Sequence, residues 1–120
     1  MRQIRAVRGA TTAERDEREE ILSVTRELLT EILLTNKIMA EDLVSAFFTV
    51  TPDLTAAFPA EAARQLGLTE ISAIGAVEMA VHGAPKYCIR VLIHFYTEKT
   101  IKEVHHVYQR EARNLRPDRV

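Results

Sequence analysis

The run LVSAFFTV, residues 43–50, leaves little choice of local structure. It is almost continuously apolar and rich in β-branched and aromatic side chains, so it reads as a strand covered on both faces rather than one with a wet side. At eight residues it is far short of the roughly 18 apolar residues that a membrane-spanning helix needs, and no other stretch of the chain reaches that length. A strand of this kind must be sandwiched between layers, and the rest of the sequence has to supply them.

One layer is legible upstream. Ile21, Val24, Thr25, Leu28, Leu29, Ile32 and Leu33 recur at three- and four-residue steps, predicting an amphipathic helix over roughly 17–35. Thr11-Thr12-Ala13-Glu14 and Asp16-Glu17-Arg18-Glu19 both have capping-box form at its start. Asn36 is the expected stop, since Asn tolerates the left-handed conformation. Before this helix, residues 2–8 alternate well enough for a first strand ending at Arg8-Gly9. Downstream, Pro59 followed by Ala60–Leu66 and Gly67 predicts a two-turn helix. Ile71–Val77 and Ile89–Tyr96 are further strands, Thr100–Glu103 a single helical turn, and His105–Tyr108 a short final strand. The chain from about 112 is expected to be a mobile tail on a single domain, 1–120. This order predicts an α+β fold, a mixed sheet with one long and one short helix on one face. Two helices cannot cover both faces, so the second is expected to be buried between subunits of a symmetric homo-oligomer.

Composition excludes several classes of function. A chain of 120 residues, 47% hydrophobic and 28% charged, suits one folded domain. A net charge of -1 argues against coating nucleic acid or an anionic membrane. The single cysteine, Cys88, permits no disulfide framework and suits a reducing cytoplasm; the start of the chain has no signal-peptide pattern. His105 and His106 are adjacent and point to opposite sides of a strand, and His82 and His94 complete no ligand spacing, so no metal is expected. Cys88 has no His base in sight, and the phosphate-cradling glycine motifs are absent.

Arg90 is the most informative single residue, a guanidinium set in the apolar strand Ile89-Arg90-Val91-Leu92-Ile93. It needs either a structural carboxylate, with Glu78 the obvious candidate, or an anionic ligand. Arg8 at the end of the first strand and Arg64 on the short helix are further anion-binding candidates, though a surface arginine is the commoner explanation of such positions. Tyr108 reads as a core aromatic or as a contact at the rim of a site.

Arg8-Gly9-Ala10-Thr11-Thr12, Thr51-Pro52-Asp53-Leu54, Ala57-Phe58-Pro59-Ala60, Cys88-Ile89-Arg90-Val91, His106-Val107-Tyr108 and Leu115-Arg116-Pro117-Asp118 together resemble the monofunctional AroH-type chorismate mutases, in order and spacing, over nearly the whole chain. The resemblance implies a homotrimer with a barrel-like core, three clefts between subunits, and the cofactor-free rearrangement of chorismate to prephenate in phenylalanine and tyrosine synthesis. It implies that Arg90 donates to the ether oxygen and a carboxylate, that Arg8 holds a carboxylate and that Glu78 accepts from the substrate hydroxyl. Tyr108 would contact a carboxylate region, Phe58 and Ala60 would line an apolar wall with Ala73, Ile74 and Gly75 beside them, and Arg64, Leu115 and Arg116 would close or steer the entrance.

Two positions depart from the family pattern. Gly75 stands where a polar or thiol side chain is common, implying one fewer hydrogen bond to substrate. Glu61 stands where a basic residue can occur, implying weaker attraction of a dianion, partly offset by Arg64. The implied chemistry suits the inventory of residues, because a pericyclic rearrangement needs a fixed cation and conformational restriction but no nucleophile or base. Two alternatives remain at this stage: a non-catalytic trimer that binds a small carboxylate, and a partner-binding module using the apolar sheet face.

Overall fold

A computed structural model describes residues 1–115 as an α+β fold. The elements run β1 (Gln3–Thr12), α1 (Arg18–Asn36), β2 (Leu43–Val50), α2 (Ala60–Gln65), β3 (Ser72–Val77), β4 (Cys88–Thr97) and β5 (Val107–Tyr108), with 3-10 turns at Ala40–Asp42, Ile101–Glu103 and Arg110–Asn114. The strands form one mixed sheet in the order β3-β2-β4-β1-β5, so β4 is its centre and the apolar β2 lies beside it. β4 is antiparallel to β1 and β2, while β2–β3 and β1–β5 are parallel.

Alternation along the strands divides the sheet into two unlike faces. Val7, Ala46, Phe48, Val91, Ile93 and Phe95 point toward the helices and are buried there with Leu22, Leu28, Leu29 and Ile32 of α1 and Ala62 and Ala63 of α2. Each large side chain removed from water in this layer contributes about 1.5–3 kcal/mol. The helix comes unusually close at Gly9, where a Cβ would lie 2.5 Å from Ile32 Cδ1 and 3.2 Å from Leu28 Cδ1. On the other face, Ile4, Phe47, Ile74 and Tyr96 remain exposed. Within a single chain, therefore, β2 is covered on one face only.

Three local expectations are corrected. β1 does not stop at Gly9 but continues through Thr12 in register with β4 as far as Cys88. Gly9 suits the close helix and the β-branched Thr11 and Thr12 suit a strand, so Thr11 cannot cap a helix. The second capping box also fails, because Glu17 is the N-cap residue and its side chain makes no capping bond. Asp16 turns away instead, accepting from Thr55 N at 2.9 Å, Ala56 N at 3.0 Å and Thr55 Oγ1 at 2.7 Å. Asn36 is the last helical residue, and the left-handed position falls on Lys37, φ 55°. The Asn36 amide is buried as a clip: Nδ2 donates to Ile32 O at 3.0 Å and His105 O at 2.9 Å, while Oδ1 accepts from His105 N at 2.8 Å.

Arg110–Asn114 is ordered as a turn with Ala112 fully buried. The remainder of the expected tail, Arg116 included, lies outside the described residues. No helix among the described residues is long and apolar enough to cross a membrane.

Candidate active site

A single row across the open sheet face organises the site. Arg90 of β4 stands opposite Thr49 of β2 on one side and Ala10 of β1 on the other, and Ala10 in turn pairs with Tyr108 of β5. One residue pair along, Arg8 stands opposite Leu92, and Leu92 opposite Phe47. Antiparallel pairs point to the same side of a sheet, so strand register alone gathers these side chains. All of them but Ala10 line a cavity of about 390 Å³ together with Gly9, Glu78, Met79 and Val91. Ala10 is the small residue in the row, leaving space between the guanidinium and the Tyr108 ring.

Glu78 directly follows β3. Its N–H donates to Val50 O at 2.8 Å, carrying the β2–β3 pairing one residue further and bringing the carboxylate over the end of β2. Oε1 accepts from Thr49 Oγ1 at 2.7 Å and lies 3.4 Å from Arg90 Nη1; Oε2 accepts from Met79 N at 3.3 Å. A close charge-assisted guanidinium–carboxylate bond measures about 2.7–2.9 Å, so Glu78 neighbours Arg90 without closing a two-pronged pair with it. The Arg90 side chain keeps 37% of its surface exposed, toward the cavity.

Arg8 has no carboxylate within salt-bridge distance among the described residues, while its N–H donates to His106 Nδ1 at 3.0 Å. The Tyr108 hydroxyl is buried with no hydrogen-bond partner among the described residues. A buried hydroxyl without a partner is costly, and in a cavity wall it is positioned for a polar ligand. Among the described residues, charge in the cavity is therefore two guanidiniums against one carboxylate, a surplus suited to an anion.

The structure thus brings together Arg8, Glu78, Arg90 and Tyr108, with Leu115 packed against Tyr108 and Ala10. Of the remaining expected residues that are described, none lines that cavity. Phe58 is 77% exposed and lines a separate hollow of about 610 Å³ with Arg18, Glu61, Gly75, Ala76 and Val77. Ala60 packs partly into the core beneath α2, Arg64 projects from α2 into solvent, and Ala73 and Ile74 lie on the exposed edge strand β3. Glu61 is neutralised locally, since Arg18 grips both its oxygens and holds the carboxyl below its ordinary range. A Cβ at Gly75 would meet only Phe48 O at 3.7 Å, so a larger side chain would fit there.

Burial pushes the Cys88 thiol up to about 11, which keeps it protonated and inert at neutral pH. Thr49 and Met79 are not singled out by the sequence reading, and His106 figures there only as a rejected metal ligand and within His106-Val107-Tyr108. Thr49 did leave a signal, as a lone polar side chain late in an apolar run; the other two are gathered only by strand register and a loop.

The sequence profile of the family described as chorismate mutase type I matches residues 4–119. The chain belongs to the type I chorismate mutase family. It is 48% identical over 116 residues to the chorismate mutase AroH of Thermus thermophilus, covering 96% of this chain and 95% of that protein. Its identity to chorismate mutase AroH of Bacillus subtilis (strain 168) is 44% over 116 residues, covering 96% and 91%. A solved chorismate mutase structure from Clostridium thermocellum superposes with a TM-score of 0.90 at 42% identity, covering 92% of this chain and 98% of that one. The activity is thus that of a chorismate mutase, an isomerase of aromatic amino acid biosynthesis, and the non-catalytic carboxylate binder finds no support.

Proposed function

We propose that the Arg8–Arg90–Tyr108 cavity is where this chorismate mutase converts chorismate to prephenate, in the cytoplasm, as a homotrimer whose whole chain acts as one domain. The observation that carries this reading is, among the described residues, a charge surplus of two guanidiniums over one carboxylate beside a buried tyrosine hydroxyl that has no hydrogen-bond partner there. Chorismate is a dicarboxylate with an ether linkage and a hydroxyl, and each finds a complement. Arg8 and Tyr108 hold carboxylate oxygens. Arg90 faces the ether oxygen and a carboxylate. Glu78 accepts from the substrate hydroxyl through the lone pairs it has left.

The rearrangement breaks a C–O bond as a C–C bond forms in one cyclic step. Negative charge grows on the ether oxygen in the transition state, and a guanidinium already in place stabilises that charge more than it stabilises the neutral ether. The two ends of the clamp also hold the flexible substrate in its compact reactive shape, so part of the entropy is lost on binding rather than at the barrier. No proton transfer or covalent intermediate is required of the protein.

The exposed row Ile4, Phe47, Ile74 and Tyr96 favours burial of the open sheet face against other copies of the chain. In such a trimer, Phe58, Ala60, Arg64, Ala73, Ile74 and Gly75 complete the cavity of the neighbouring subunit, with Leu115 and Arg116 at its mouth. Arg18 then offsets Glu61 at the entrance, so the acidic residue on α2 does not repel the dianion.

Complementation tests the shared cleft. Arg90→Ala and Phe58→Asp chains, each inactive alone, should regain about a quarter of wild-type activity when mixed one to one in trimers, because a quarter of the clefts then pair an intact residue 90 with an intact residue 58. Mixed trimers that stay inactive would contradict the arrangement.

A further inference from the structure

We infer that Thr49 is a positioning residue that keeps Glu78 from collapsing onto Arg90, so that the guanidinium remains available to substrate. The inference rests on the reading of the cavity given above and assigns it a further working part.

Two groups compete for one carboxylate oxygen. Glu78 Oε1 lies 2.7 Å from Thr49 Oγ1, a full hydrogen bond, but 3.4 Å from Arg90 Nη1, beyond a strong one. Left to themselves, a carboxylate and a guanidinium this close would form a two-pronged pair, which satisfies the fork geometry of both. Such a pair would occupy the donors that must face the ether oxygen, and its neutral sum would remove the stabilisation of developing charge. The Thr49 hydroxyl binds one lone pair of Oε1, and the Met79 N–H holds Oε2 at 3.3 Å, so each carboxylate oxygen has a hydrogen bond that is not the arginine's.

The geometry of this tether follows from the sheet. Thr49 and Arg90 are register partners on β2 and β4, which fixes their separation by backbone hydrogen bonds. Thr is β-branched, so its first side-chain torsion is stiff and the hydroxyl holds its aim better than that of a serine would. Thr49 is half-buried in the cavity wall, where the bond is only partly exposed to competing water.

The experiment is a double-mutant cycle of Thr49→Val, Glu78→Ala and both together, read as kcat and KM for prephenate formation, with Thr49→Ser as the rescue. Thr49→Val should lower kcat about tenfold while changing KM less than about threefold, because the ground-state contacts persist while an interaction used in the transition state is lost. Thr49→Ser should recover most of kcat, and Thr49→Val should cost nothing further in the Glu78→Ala background. Circular dichroism and sedimentation establish that each variant folds and assembles; if Thr49→Val does not, Thr49→Ala takes its place. An unchanged kcat in the valine variant overturns the inference, as does the same tenfold loss with Glu78 already removed. Near-normal turnover by Glu78→Ala alone overturns the underlying role of Glu78 and the inference with it, so the two failures are distinguishable.

Discussion

Glu78 Oε1 stands 3.4 Å from Arg90 Nη1, close enough to balance its charge and too far to capture its donors. The pair is not a structural staple. Its members are 20% and 37% exposed, and partly exposed ion pairs contribute under about 1 kcal/mol to folding.

Replacing Glu78 by Ala should therefore leave the melting temperature within a few degrees of wild type and lower kcat/KM at least about tenfold, through loss of a hydrogen bond to a charged acceptor. Thermal denaturation set beside a prephenate assay checks both halves. A large fall in melting temperature with intact turnover would return the pair to a purely structural role.

Acid should loosen the N-terminal end of α1 through Asp16. The Thr55 hydroxyl and backbone, with help from the Ala56 N–H, hold its carboxyl below the ordinary 3.8 in the folded chain. The stabilisation is present above the unfolded value and is lost as pH falls through the lower folded value. Urea midpoints from pH 7 to pH 2.5 should show Asp16→Asn less stable than wild type at neutral pH, with the gap narrowing below about pH 3.8. A gap that stays constant throughout would contradict the role given to the charge.

Much of this was legible in the sequence because burial speaks through periodicity. The long helix, the LVSAFFTV strand, the short Pro-to-Gly helix and the mixed α+β class all follow from apolar spacing. The helix entrance was misread because Thr and Asp make good caps and good loop or strand partners alike. Only the fold decides that Thr11 and Thr12 extend β1 and that Asp16 secures residues 55 and 56. Arg90 and Glu78 were visible as charges in apolar company, and Arg8 and Tyr108 as candidates with an ordinary reading beside them, whereas their convergence depends on cross-strand register, which no local pattern encodes. Thr49 was missed for the same reason. Phe58 and its neighbours stay apart from the cavity in one chain, and their role depends on how chains assemble.

Close packing at Gly9 gives a prediction independent of the chemistry. Gly9→Ala forces its Cβ to within 2.5 Å of the fully buried Ile32 Cδ1, so side chain or helix must move. The expected cost is about 1–3 kcal/mol of unfolding free energy, measured in urea. Ile32→Val in the same chain should recover part of it, and a fully stable Gly9→Ala would mean that α1 sits further from β1 than described.

The most direct test of the account is the turnover of Arg90→Lys. Lysine keeps the positive charge but loses the planar fork that addresses ether oxygen and carboxylate together. With the circular dichroism spectrum and the assembly state unchanged, prephenate formation should fall about a hundredfold or more, the scale of removing one fixed donor from a transition-state charge. Turnover within about threefold of wild type, a difference well under 1.4 kcal/mol in the barrier, would contradict the claim that the oriented guanidinium does the chemistry.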